Sequence, residues 1–114
     1  MEAQLRPSYN CAHFVTDVWL AETGQDISGI MGCFLHLPKD RQAGKNLIHD
    51  LKRLDGPQEP CIVLFRRVKA TPHVGIFLRK RVLHLTDSGP IRQLLDVARI
   101  GYHSVRFYAP RQAH

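Results

Sequence analysis

Three side chains in this 114-residue chain have types and positions suited to nucleophilic chemistry: Cys11, His73 and His84. Cys11 follows Asn10, a favoured helix N-cap residue, and heads an amphipathic stretch. A cysteine at a helix N-terminus faces unpaired backbone N–H groups and the positive end of the helix dipole. Both favour thiolate over thiol, and the same N–H groups suit the oxyanion of a tetrahedral intermediate. His73 opens the apolar run His73-Val-Gly-Ile-Phe-Leu78, and His84 interrupts Val82-Leu-His-Leu-Thr86. A two-residue turn at Arg79-Lys80 would pair Leu78 with Arg81 and bring Gly75 opposite His84. His73 and His84 then become diagonal neighbours on one sheet face. Gly75 between them leaves room for a close approach, with the helix bearing Cys11 as a candidate. The chemistry implied is a thiol relay. Cys11 would attack, His73 would carry the proton, and His84 would hold the tautomer and orientation of His73.

Positioning these groups requires an N-terminal helix and a sheet. Cys11, Phe14, Val15, Val18 and Trp19 form a helical stripe from Cys11 to about Thr23, with Gly24 at the expected left-handed cap. Leu47, Ile48, Leu51 and Leu54 predict a second helix from Asp40 or Arg41 to Leu54, ended by Asp55-Gly56-Pro57. Strands are expected over Cys61–Phe65, His73–Leu78, Val82–Thr86 and Val105–Tyr108, with a turn at Asp87-Ser-Gly-Pro90. The span from Ile91 to Tyr102 reads either as helix or with an extended start. Helices first and antiparallel strands after predict one α+β domain over residues 1–114, with N-terminal helices packed on a small antiparallel sheet.

Composition narrows the function class. With 44% hydrophobic and 23% charged residues the chain is an ordinary globular one. No apolar run approaches a membrane span, and the N-terminus lacks a secretory signature, so work outside the cytoplasm would need another carrier. Three cysteines without C-x-x-C spacing argue against a disulfide framework or a zinc ribbon. Cys33 and Cys61 read as small core hydrophobes. Seven histidines raise the question of metal, but no pair has H-x-x-x-H spacing, so neither metal nor other cofactor is predicted. His13 falls one residue outside the stripe and is expected to be exposed. The net charge of +6 favours polyanionic partners. Its clusters, Arg66-Arg67-Val-Lys69 and Arg79-Lys80-Arg81, read first as solvated strand ends and a turn.

The blocks Asn10-Cys11-Ala-His-Phe14-Val15, His73-Val-Gly-Ile-Phe-Leu78 and Val82-Leu-His84 resemble the NlpC family of papain-like cysteine peptidases. They are similar to that family's nucleophile segment, its His-Val-Gly-Ile-Tyr strand and its third polar residue. Leu37-Pro38 and Arg41 to Gly44 resemble its connecting segment. The resemblance implies a papain-like NlpC fold, with Cys11 as nucleophile, His73 as base and His84 as orienting residue. It also implies hydrolysis of amide bonds in peptidoglycan stem peptides, in the manner of bacteriophage-tail peptidases carried to the wall by a larger assembly or secretion machine. Three alternatives stay open: a thiol amidase or acyltransferase with a non-wall substrate, a catalytically weak structural module of a phage tail, and a small nucleic-acid binder. The last lacks aromatics within its basic clusters and any nucleic-acid motif.

Overall fold

In the computed structural model, which describes residues 10–31, 51–68 and 72–111, the stripe headed by Cys11 is helix α1 (Cys11–Thr23). Asn10 caps its start and Gly24, at φ 77°, closes it in the left-handed conformation. A single turn, α2 (Ser28–Met31), follows. The rest is mainly strand: β1 (Leu51–Leu54), β2 (Cys61–Arg66), β3 (His73–Leu78), β4 (Arg81–Thr86), β5 (Gly89–Gln93) and β6 (Ser104–Pro110). A short helix, α3 (Leu95–Ala98), joins the last two. All pairings are antiparallel, in the order β1-β6-β2-β3-β4-β5.

This corrects the expected fold class. The described chain is one six-stranded sheet carrying a single substantial helix, mostly β rather than an α+β papain-like NlpC fold with packed N-terminal helices. The physical cause is visible at Leu51 and Leu54. Their three-residue spacing reads as a helical stripe, yet they lie in the edge strand β1, paired with Pro110 and Phe107 of β6. Both are buried because each faces a different side of the sheet, and a four-residue strand with buried ends mimics helical periodicity. Pairing with a strand some fifty residues away in sequence overrides the local pattern. The rest of the expected second helix lies outside the described residues, as does Cys33. The ambiguous span resolves into extended chain to Gln93 and then one helical turn.

The sheet is covered on both faces. Ile62, Leu64, Val74, Ile76 and Tyr108 point toward Ala12, Val15 and Trp19 of α1, with Ile27, Met31 and Leu51 completing that core. Cys61, Val63, Phe65 and Val82 point the other way and pack with Leu54 and Ala98. This explains the continuous burial of β2 from Cys61 to Phe65. No helix among the described residues is long and apolar enough to cross a membrane.

The β3–β4 hairpin turns on Arg79 and Lys80, both at positive φ (52° and 66°), and pairs Leu78 with Arg81. Such a two-residue turn matches the right-handed twist of its strands. Gly75 lies just beyond the last paired residues, Ile76 and Leu83. A side chain there would meet His84 Cβ and Val82 Cγ1 at 3.1 Å and the Leu83 carbonyl oxygen at 3.2 Å. The space over Gly75 is therefore filled by its β4 neighbours and not by α1, which covers the opposite face. Gly75→Ala is expected to destabilise the fold by about 1–3 kcal/mol, because backbone as well as side chains must shift. Chemical denaturation checks this, and an unchanged midpoint would contradict the close approach.

Candidate active site

The N-terminus of α1 is tied down by its own side chains. Asn10 Oδ1 accepts from the N–H groups of Ala12 (3.0 Å) and His13 (3.3 Å), and the Asn10 N–H donates to His13 Nδ1 (3.3 Å). His13 is thus half-buried in a reciprocal cap, not exposed as its place outside the stripe suggests. The Asn-x-x-His spacing was the signal for this, since N-cap and third helical position are the two partners of such a cap. The cap also consumes donors. The Ala12 and His13 amides already have an oxygen acceptor, so among the described residues the Cys11 amide is the helix-end N–H outside that cap.

Cys11 is a free, half-buried thiol on the α1 side of the sheet. Burial pushes its pKa up from the ordinary value, and the backbone N–H groups of Val74, Ala12 and Cys11 itself pull in the other direction without prevailing. The sulfur therefore rests as a thiol at neutral pH. Its alkylation by iodoacetamide is expected to be slow at pH 7 and to rise about tenfold per pH unit to above pH 9. A plateau below pH 8 would instead show a thiolate stabilised against burial.

Alternation along β3 and β4 sends His73 and His84 to the face opposite α1. There the structure joins them: His73 Nε2 and His84 Nδ1 are 2.8 Å apart, and His84 Nε2 is 2.7 Å from Gln93 Oε1 on β5. His84 is buried at 6% exposure, and His73 is half-buried. The Phe65 ring supports both imidazoles, at centroid distances of 5.6 Å and 6.1 Å. Tyr102 lies parallel to His73 at 6.1 Å, and the Arg67 guanidinium sits 4.6 Å over the Tyr102 ring. His73 is held at a pKa of about 4, first by burial, then by the neighbouring His84 and the Arg67 charge.

The three residues singled out by sequence are thus placed unequally. The two histidines are hydrogen-bonded to each other. Cys11 lies on the other face, close enough to Val74, the residue after His73, for that backbone N–H to favour its thiolate, and among the described residues no hydrogen bond links its sulfur to either imidazole. The β3–β4 pairing ends at Ile76 and Leu83, yet Gly75 and His73 still lie close to His84 beyond it. Gln93 and Tyr102 were not singled out by the sequence, and Arg67 read there only as part of a basic cluster at a strand end. Gln93 had a faint signal, a polar residue two positions beyond Ile91, which pairs with His84, and hence on the same face. Tyr102 and Arg67 reach the site only through the α3–β6 and β2–β3 connections, which carry no periodicity to read. Among the described residues no group of three or more His, Cys, Asp or Glu side chains is arranged to hold a metal ion.

No family model, no curated protein and no solved structure matches this chain.

Proposed function

We propose that the chain is a cysteine hydrolase acting on amide bonds, with Cys11 as nucleophile, His73 as proton carrier and His84 as the residue that orients it. The observation that carries this reading is the chain of hydrogen bonds from His73 through His84 to Gln93, set beside the strand position whose amide meets the Cys11 sulfur. His73 Nε2 is occupied by His84, and Nδ1 has no hydrogen-bond partner among the described residues. That nitrogen is the one available to take a proton.

With the thiol pushed up and the imidazole held near pH 4, the resting pair is neutral on both sides. His73 therefore acts as a general base during attack, not as half of a standing ion pair. The Cys11 sulfur adds to the amide carbonyl carbon as its proton passes to His73 Nδ1. The C–N bond then breaks and that proton leaves on the amine. Water attacks the resulting thioester, giving its proton through His73 to the sulfur as the carboxylic acid departs. The oxyanion has the Cys11 amide as its backbone donor, since Asn10 holds the next two. Because Cys11 and His73 lie on opposite faces of the sheet, bringing Nδ1 to the sulfur needs β3 to rearrange about His73.

We further propose peptidoglycan stem peptides as the substrate. This is supported by the similarity of the nucleophile and histidine segments to NlpC peptidases and by a net charge of +6, which suits an anionic wall. The absence of a Cys11–His73 hydrogen bond favours a second reading, a structural module whose histidines are satisfied within the sheet. Incubating wild type and Cys11→Ala with peptidoglycan, and reading released peptides by mass spectrometry, separates the two. New amine termini from wild type alone support the hydrolase. Equal inertness of both proteins on wall and on synthetic peptide amides overturns the hydrolase and favours the structural module.

A further inference from the structure

We infer that Gln93 is a positioning residue that sets the tautomers of both histidines and so makes His73 Nδ1 the basic nitrogen. The argument starts from what each atom can do. An amide oxygen only accepts, so Gln93 Oε1 at 2.7 Å requires the proton of His84 to sit on Nε2. A neutral His84 protonated at Nε2 has its lone pair on Nδ1. That nitrogen lies 2.8 Å from His73 Nε2, which must then be the donor. A neutral His73 protonated at Nε2 carries its lone pair on Nδ1. One acceptor on β5 thus dictates, through two rings, the protonation of an atom on β3.

The surroundings reinforce this direction. His84 is buried, so a mismatched tautomer would leave a ring nitrogen without a partner at a cost. No buried side-chain nitrogen or oxygen among the described residues lacks a hydrogen bond. Gln93 is half-buried on the edge strand, paired with Val82, and its placement two residues past Ile91 puts it diagonal to His84 on the face opposite α1. The Phe65 ring packs against both imidazoles on this face.

The consequence for turnover rests on the hydrolase reading; the tautomer assignment does not. Long-range ¹H–¹⁵N correlation spectra of the full chain at pH 7, with His73 and His84 assigned from His73→Gln and His84→Gln, report protonation at each ring nitrogen. Expected for wild type is His73 protonated at Nε2 and bare at Nδ1, with His84 the same. Gln93→Glu, which keeps an acceptor-only oxygen, should retain that pattern. Gln93→Met, similar in length but without an acceptor, should mix the tautomers of both rings. If wild type hydrolyses a peptide amide, Gln93→Met should lower kcat by about ten- to a hundredfold with little change in KM, as loss of an outer hydrogen-bond partner does elsewhere. Gln93→Glu should keep most of the rate. Amide spectra of the variants that overlay on wild type separate tautomer loss from misfolding. A wild-type His73 protonated at Nδ1, or tautomers indifferent to Gln93→Met, overturns the inference. Gln93-dependent tautomers in a protein that cleaves no amide uphold the inference and count against the hydrolase reading.

Discussion

His73→Ala is expected to cut amide hydrolysis by about 10²–10⁴-fold, the range lost with a positioned general base. The same substitution should change how stability depends on pH. His73 titrates at about 4 in the folded chain against an ordinary 6.5. Between those values the unfolded chain binds more protons than the native one, so wild-type stability is complete above pH 6.5 and falls as pH drops toward 4. Full linkage would amount to about 3 kcal/mol, and because the ring is only half-buried, screening brings the expected loss to roughly 1–2 kcal/mol. Urea unfolding from pH 7 to pH 4 measures it. His73→Ala should flatten that part of the profile. In wild type, the acid limb of kcat/KM should lie near pH 4 rather than near 6.5, because His73 must be neutral to take the thiol proton. An acid limb at 6.5, with an unfolding profile identical in the variant, would sink both the assignment of the base and the cause given for its low pKa.

The largest expected loss of stability follows Phe65→Ala. Phe65 is fully buried between Val63, Val82, Cys61 and Ala98, with Tyr102 at a ring-centroid distance of 5.1 Å and both histidines within ring contact. Truncation of such a ring costs about 3–5 kcal/mol, through lost transfer energy and the cavity left behind. Against total stabilities of about 5–15 kcal/mol, that is a large fraction. In a domain of this size it corresponds to a fall in Tm on the order of 15–25 °C. Calorimetry at pH 7 reads it directly, with Val68→Ala on an exposed site as the control expected to stay within about 0.5 kcal/mol. A loss below about 1 kcal/mol for Phe65→Ala would mean that the second face of the sheet is not the packed core described. Because Phe65 also backs the imidazoles, the variant should loosen their hydrogen bonds even at temperatures where it stays folded.

Local features were readable where chain neighbours alone decide the outcome. Helix α1 followed from a five-residue stripe, an Asn cap and a terminal glycine, all within fourteen residues of one another. The strands on either side of Arg79-Lys80 followed from short-range alternation, and the sequence put His73 and His84 on one face on condition of a two-residue turn, which the structure supplies. Leu51–Leu54 went wrong because a four-residue strand contributes two buried residues whatever their phase. Only β6, brought alongside by the fold, makes it a strand.

The candidate site divides in the same way. The sequence by itself determined that a cysteine heads a capped helix, and that two histidines share a sheet face if the hairpin between them turns on two residues, since both depend on periodicity within single elements or across one hairpin. Tertiary structure decided what those residues meet. It put α1 on the face opposite the imidazoles, set the Cys11 thiol near the Val74 backbone, engaged two helix-end amides in the Asn10 cap, and supplied Gln93, Tyr102 and Arg67 as the surroundings of the histidines. Which face a helix covers is set by where both sides of β2 can be buried at once, and that is a property of the whole sheet rather than of any segment.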